Sequence, residues 1–285
     1  MRWWGWGEAG HAVAMPEALA ALLREEIGAD LGAPPRRPVA LEDVRLPASR
    51  LPDAARKRLA GAVGAEHSHD NREARVSHAA GRSYPDLVRL RSGDGSSAPD
   101  AVLLPGSADE VRAVLAACAE QRLAVVPFGG GTSVVGGVEP VSDGFGGAVS
   151  IDLRRLDRVL SIDGTSLTAR LEAGLNGPQI ERALGAEGLT LGHFPQSFEY
   201  STLGGWVATR SAGQASTGFG RIDELVDGLR LVAPAGEVDA RPLPASAAGP
   251  DLRELLIGSE GVLGVICDAT LCVQQTPNTK RYKSW

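Results

Sequence analysis

Apolar residues recur at helical spacing early in the chain and at strand spacing later, and this change of period divides it. Leu19, Leu22, Leu23 and Ile27 fall on one side of a helix drawn over Pro16–Ile27, and Asp53–Val63 repeats the pattern in a second short helix. Between them, Gly32–Pro52 is Pro-rich and predicts irregular backbone. From Ala101 the pattern becomes compact α/β. Ala101–Leu104 reads as a short apolar strand, and Ser107 with Glu110 reads as a capping box opening a helix that buries Val111, Val114, Leu115 and Cys118. Ala124–Val126 is the next strand, so this segment is a βαβ unit with an expected right-handed crossover. Ala148–Asp152 and Val159–Asp163 follow as strands, and alternation over Leu167–Ala173 predicts a half-buried antiparallel strand. Asn176-Gly177 reads as a turn before a helix over Gln179–Gly188, with Pro178 near its start. Leu229–Ala240 is a hairpin about Pro234-Ala235-Gly236, Asp251–Ile257 a short helix, and the last strand ends near Val273.

Composition narrows the function classes. The 285 residues include 36 glycines and 18 prolines, which implies many tight turns, while 43% hydrophobic content supports a sizeable core. Net charge is −6 and no long basic run occurs, so a nucleic-acid surface is not expected and any phosphate site must be local. Lysine occurs only at Lys57, Lys280 and Lys283. Cys118, Cys267 and Cys272 lack metal-ligand spacing and read as small buried residues of a reducing compartment. His67 and His69, with His78 nearby, lack further ligands at a metal-binding spacing, so no metal is expected. No apolar run is long enough to span a bilayer, and the N-terminus lacks a secretory pattern; cytoplasmic location is the expectation. Trp3, Trp4 and Trp6 predict packing on a neighbouring domain, with a lipid-like interface as the alternative. Arg75–Arg91 carries four arginines around Tyr84, which could face an anion or form a solvated surface.

The chemistry concentrates at Val125–Gly137. Gly129, Gly130 and Gly131 permit positive φ and close backbone approach, and Thr132 and Ser133 add hydroxyls. Successive N–H groups in such a turn converge on an anion, and a pyrophosphate suits them. The nucleoside-triphosphate loop is excluded because no Gly-Lys-Ser/Thr follows, and the dinucleotide fingerprint fails because residue 134 is valine. The C-terminal end of a strand in a βαβ unit is the expected place for a ligand. Gly192–Arg210 and Gly258–Ile266 are two further glycine-and-hydroxyl segments, so one long ligand is expected.

Pro127-Phe128-Gly129-Gly130-Gly131-Thr132-Ser133, Ser201-Thr202-Leu203-Gly204-Gly205-Trp206 with Thr209-Arg210, and Gly258-Ser259-Glu260-Gly261 with Leu263-Gly264-Val265-Ile266 together resemble the flavin domain of the vanillyl-alcohol oxidase (para-cresol methylhydroxylase type) superfamily. Within it the similarity is greatest to the alkyldihydroxyacetonephosphate synthase family, which the Trp-Gly-Trp-Gly opening and Gly192-His193 also match. The resemblance implies an α+β fold: an N-terminal helical and irregular region over residues 1–96, then an FAD-binding domain over 97–276 with α/β subdomains at about 97–165 and 166–276. It places the FAD pyrophosphate on Gly129 to Ser133. It adds Pro127, Phe128, Gln196, Ser197, Phe198, Glu199, Tyr200, Ser201, Thr202, Thr209, Arg210, Ser211, Ala212, Glu260, Gly261, Val262, Leu263, Gly264, Val265 and Ile266 as cofactor neighbours. No histidine or cysteine lies in Gly129–Gly137, so covalent attachment there is excluded and non-covalent FAD is expected.

The resemblance further implies an exchange of acyl for alkyl on dihydroxyacetone phosphate through a flavin N5 adduct, a step of ether-lipid synthesis, with a lipid-like substrate. His193 becomes the acid/base candidate, a structural hydrogen bond being the equal alternative. Phe194-Pro195-Gln196 departs from the Glu-Pro-Asp often found in the family. Family members continue into a cap domain with a catalytic tyrosine, a substrate-binding arginine and a histidine-rich stretch. Residues 277–285 are expected to open that domain, the rest of which this sequence does not carry. A homodimer or a partner chain supplying the cap is the corresponding expectation. A 2-hydroxy-acid oxidase or dehydrogenase on the same fold, and a non-catalytic FAD-binding module, are the competing readings. A peroxisomal Ser-Lys-Leu terminus is absent.

Overall fold

The computed structural model describes residues 1–8, 10, 14–32, 37–244, 247–279 and 281. Most of the expected start of a cap, Lys280 and residues 282–285, lies outside the described residues, as do residues 33–36 of the Pro-rich segment.

Two sheets carry the fold. The first contains β1 (Ser68–His69), β2 (Ala101–Leu103), β3 (Ala124–Phe128) and β4 (Ala148–Asp152) in the order β1-β2-β4-β3. β4 pairs in parallel with both β2 and β3, and all its residues are buried, Ser150 and Asp152 included. The βαβ unit therefore exists with β4 inserted between its two strands. β3 is left as an edge, its Phe128 level with Asp152 of β4. The second sheet contains β5 (Val159–Asp163), β6 (Thr168–Glu172), β8 (Val226–Ala233), β9 (Gly236–Ala240) and β10 (Val265–Cys272), in the order β5-β6-β10-β8-β9 and wholly antiparallel. β7 (Leu189–Thr190) pairs with β11 (Gln274–Gln275) at its margin. Because β5 joins the second sheet, the chain passes between sheets after Asp152 and before Val159, ahead of the expected division at 165. β1 likewise draws part of the region 1–96 into the first sheet.

Seven helices matter to the site: α1 (Glu17–Ile27), α2 (Asp53–Val63), α3 (Arg72–Ser77), α4 (Tyr84–Arg91), α5 (Ala108–Glu120), α6 (Gly177–Ala186) and α7 (Leu203–Thr209). α5 buries Val111, Val114, Leu115 and Cys118 as its spacing predicts. It shares one core with Ile151 of β4 and with Val232, Val265 and Cys267 of the second sheet, which joins the two sheets across it. A second core behind β6 and β10 collects Leu171, Ile180, Leu203, Trp206 and Leu231.

Five local expectations are corrected. Asn176-Gly177 is not a free turn. Asn176 caps α6 by a reciprocal capping box with Gln179, so the helix begins at Gly177. At α5 only half the box forms: Ser107 Oγ accepts from the Glu110 N–H, while the Glu110 carboxylate takes the Gly106 N–H instead. α1 forms where its period predicts, yet Leu19, Leu22 and Ile27 are exposed and only Ala20 is buried. Cys272 is exposed, unlike Cys118 and Cys267, whose thiols burial pushes up to about 12. The arginines of 75–91 neither form one anionic-ligand face nor a uniformly solvated one. Arg75 is buried on the Pro47 and Pro99 carbonyls, Arg82 is buried, and Arg89 pairs with Asp86 and Glu139.

Candidate cofactor site

The glycine loop leaves β3 at Phe128 and turns across the edge of the first sheet. The N–H groups of Gly129 through Ser133 donate to no acceptor among the described residues. A run of unpaired, partly buried N–H groups is costly unless something outside the chain accepts from them. The loop is nevertheless fixed. Its Ser133 carbonyl accepts the Arg82 N–H at 2.6 Å, and Ser133 Oγ accepts from Gly137 N–H at 3.1 Å. Gly131 has φ +67 and lies on the Phe128 ring, and a Cβ on Gly130 would stand 1.8 Å from the Tyr200 carbonyl oxygen. The loop thus rests directly on the second sequence segment. The Phe128 ring has its other neighbour in His78, with centroids 4.2 Å apart. His78 Nε2 lies 3.1 Å from Asp152 Oδ2 and Nδ1 2.7 Å from the Ala74 carbonyl, so α3 is tied to the end of β4 beneath the loop. Burial opposes the Asp152 carboxylate, but hydrogen bonds from His78 and Arg154 outweigh it and hold the carboxyl below its usual range.

The other two segments close the site from the second sheet. Residues 195–201 form turns that place Ser201 Oγ as acceptor from Trp206 Nε1 at 2.7 Å and donor to the Ser197 carbonyl at 2.9 Å. α7 then begins at Leu203, with the Gly204 N–H on the Ala173 carbonyl. At its end Arg210, φ 50, sends its guanidinium to the Ile257 carbonyl, Asp223 and Glu254. Gly258 and Glu260 donate their N–H groups to Val207 and Ala208, which docks the third segment on α7.

Between loop, α7 and β10 lies a cleft with ≈ 690 Å³ of space including its mouth, within the range of cofactor sites. Of the candidate residues, Pro127, Phe128, Gly129, Ser133, Thr202, Thr209, Glu260, Gly261, Gly264 and Ile266 line it. Gly130, Gly131, Thr132, Gln196, Ser197, Phe198, Glu199, Tyr200, Ser201, Arg210, Ser211, Ala212, Val262, Leu263 and Val265 lie outside its wall; several of them support it. Val135, Gly137, Val138, Leu153, Gly204, Gly205 and Ala208 line it as well. The glycines among these belong to the quoted motifs, whereas Leu153 and Ala208 carry no signal of their own.

His193 is not on the cleft wall. It is buried, its ring meets Trp206 edge-on at 5.0 Å, and Nε2 lies 2.8 Å from Ser211 Oγ. Nδ1 has no partner among the described residues. Burial lowers its pKa to about 4, which keeps the imidazole neutral at neutral pH.

Trp3 and Trp4 are half-buried against their own N-terminal region, and Trp6 is exposed, so the cluster is not buried on a neighbouring domain. Trp3 lies on Ala79, Ala80 and Leu90, Trp4 between the guanidinium groups of Arg2 and Arg91, and Trp6 6.4 Å from Tyr200. Among the described residues no group of His, Cys, Asp and Glu is arranged to hold a metal, and no helix is long and apolar enough to cross a membrane.

Residues 99–240 match a family model described as an FAD binding domain. Over 214 residues the chain is 40% identical to the alkyldihydroxyacetonephosphate synthase of Dictyostelium discoideum, a match covering 75% of this chain and 35% of that protein. Over 187 residues it is 34% identical to glycolate oxidase subunit GlcD of Bacillus subtilis, covering 65% and 39%. A solved structure of alkyldihydroxyacetonephosphate synthase superposes with a TM-score of 0.88 at 31% identity, over 98% of this chain and 55% of that one. The chain thus spans about a third to a half of the proteins it matches.

Proposed function

The chain belongs to the FAD-binding flavoprotein family that includes the alkyldihydroxyacetonephosphate synthases, and from that premise we propose that it holds FAD non-covalently for an acyl-for-alkyl exchange on dihydroxyacetone phosphate. FAD is its cofactor, and unpaired loop N–H groups beside an apolar cleft suit it. The observation that carries the reading is the row of unpaired N–H groups from Gly129 to Ser133 at the end of β3. They are the donors a diphosphate needs. The wall formed by Pro127, Phe128, Val135, Leu153 and Ile266 is apolar enough to exclude water from an extended ligand.

When bound, the flavin supplies a nucleophilic ring nitrogen, with no net electron transfer in the exchange. The chain's own residues bind and orient. Gly129 to Ser133 would donate to the diphosphate, Thr202 and Thr209 would offer hydroxyls, and the backbone of Gly204 and Gly205 would permit close approach along α7. Gln196 to Tyr200 and Arg210 to Ala212 support those surfaces. His193 contributes a neutral imidazole that fixes Ser211 and Trp206 behind α7. The substrate, a lipid-like acyl dihydroxyacetone phosphate, and a cytoplasmic setting complete the proposal.

The similarity to a glycolate oxidase subunit supports a second reading, a 2-hydroxy-acid oxidase or dehydrogenase on the same cofactor. One set of measurements separates them. The purified chain is expected to show flavin absorbance that acid releases into the supernatant as FAD, and to exchange labelled fatty alcohol into acyl dihydroxyacetone phosphate. Reduction of a dye by glycolate or lactate, without exchange, would replace the first reading by the second. Flavin binding with neither turnover leaves an FAD-binding module, and a folded chain that stays colourless with added FAD overturns the assignment altogether.

A further inference from the structure

Arg82 is a buried cation in an unusual setting. It is 4% exposed, and its guanidinium donates only to main-chain carbonyls: Gly81 at 2.8 Å, Arg2 at 3.2 Å and Ala80 at 3.4 Å. Nε has no partner. Among the described residues no carboxylate lies within ion-pair distance of it. The acid nearest in effect, Asp86, is already committed to Arg89 at 2.7 Å and to the cap of α4. The other arginines of the segment differ. Arg89 has two carboxylate partners, and Arg75 lies in the field of Asp100 and Asp70. Taking a charge out of water without pairing it is expensive, and such groups persist where something else answers the charge.

That something is next door. The Arg82 N–H donates to the Ser133 carbonyl at 2.6 Å, and a Cβ on Gly81 would stand 2.1 Å from the same oxygen, so the backbone bearing this cation is clamped onto the glycine loop. The same loop carries the unpaired N–H groups from Gly129 to Ser133. One loop thus joins a run of free donors to the backbone that bears a buried cation without an acid partner. We propose that Arg82 is the counter-charge to the FAD diphosphate, strengthening its binding through the field it projects across the loop and not by touching the cofactor. The inference rests on the assignment of the loop to the FAD diphosphate. Arg82 is a positioning and electrostatic residue, since it does not line the cleft. Protein between it and the ligand screens less than solvent, so the effect should persist at moderate salt.

The test compares FAD with riboflavin, which has the ring but no diphosphate. Dissociation constants are measured by flavin fluorescence on apo-chain for wild type, Arg82→Gln and Arg82→Lys, each with its urea midpoint. Arg82→Gln is expected to raise the Kd for FAD about tenfold, a change of about 1.4 kcal/mol, and to leave that for riboflavin unchanged. Arg82→Lys keeps the charge and loses the planar fork, so it should bind FAD within about threefold of wild type even where its urea midpoint falls. Equal weakening of FAD and riboflavin in Arg82→Gln would mean a structural role and overturn the proposal. So would a tenfold loss in Arg82→Lys, which keeps the test decisive even where Arg82→Gln does not fold. A wild-type chain that binds riboflavin but gains nothing from the diphosphate overturns the loop assignment itself, an outcome distinct from an unaltered Kd in Arg82→Gln.

Discussion

Gly130→Ala is expected to purify without flavin and to take up added FAD at least ~100-fold more weakly than wild type. The added Cβ would lie 1.8 Å from the Tyr200 carbonyl oxygen and 2.6 Å from its carbon, main-chain atoms that cannot swing aside. Relief requires the loop and the 200–202 segment to separate, at a cost of ~1–3 kcal/mol of overpacking, and separation would spread the N–H groups proposed to hold the diphosphate. Stability and affinity therefore fall together. Gly185→Ala is the control: it lies inside α6, its Cβ would meet nothing within 4 Å, and alanine there should add up to ~1 kcal/mol of helix stability with unchanged flavin content. Flavin absorbance per chain and a urea titration read both effects. A yellow Gly130→Ala chain with wild-type affinity would show that the loop yields without consequence and would remove it from the diphosphate site.

The same contact explains why much of the site could be read in the sequence. Three adjacent glycines after an apolar strand have few alternatives: Gly131 needs its positive φ, and Gly130 needs to have no side chain where another backbone passes. The identity of that second backbone was legible only through the family resemblance, since Tyr200 is seventy positions away and nothing in local patterning brings it to residue 130. Short-range patterning likewise marks the limits of β4 and the buried face of α5, although Ser150 and Asp152 are buried in β4 with no hydrophobic signal. It missed what depends on pairing across the chain. β5 lies in the second sheet because β6 offers it an antiparallel edge, and β4 enters between β2 and β3. Asn176 was misread because Asn-Gly signals a turn and a helix cap equally; Gln179, three residues on, decides for the cap. In the sequence Arg82 is one of four arginines that could face an anion or form a solvated surface. Burial without an acid partner is a property of the fold and has no signature in the residue run.

His193 should announce itself in stability more than in catalysis. Its ordinary pKa is about 6.5, and burial against Trp206 lowers the folded value to about 4. In the unfolded chain the imidazole takes a proton as pH falls through 6.5, while the folded chain refuses it until near 4. The stability associated with the neutral ring is thus complete above pH 6.5 and is lost progressively down to about 4, by ~3 kcal/mol in all. Other groups titrate over that range, so the measurement is a difference: urea unfolding of wild type and His193→Gln from pH 7 to pH 4, with Gln chosen because it can still hydrogen-bond Ser211. The wild type is expected to lose ~3 kcal/mol relative to the variant across the interval, with the steepest divergence between pH 6 and 4.5. Parallel curves would mean that the buried imidazole protonates as freely as an exposed one. A histidine that instead exchanges protons at the flavin would leave its titration near pH 6.5 in the absorbance of bound FAD, and His193→Gln would erase it. Nε2 on Ser211 and the ring edge on Trp206 are the contacts through which His193 acts on α7 in either case, and Gln in its place preserves the first of them, so the two titration readouts separate a buried structural imidazole from one that moves a proton.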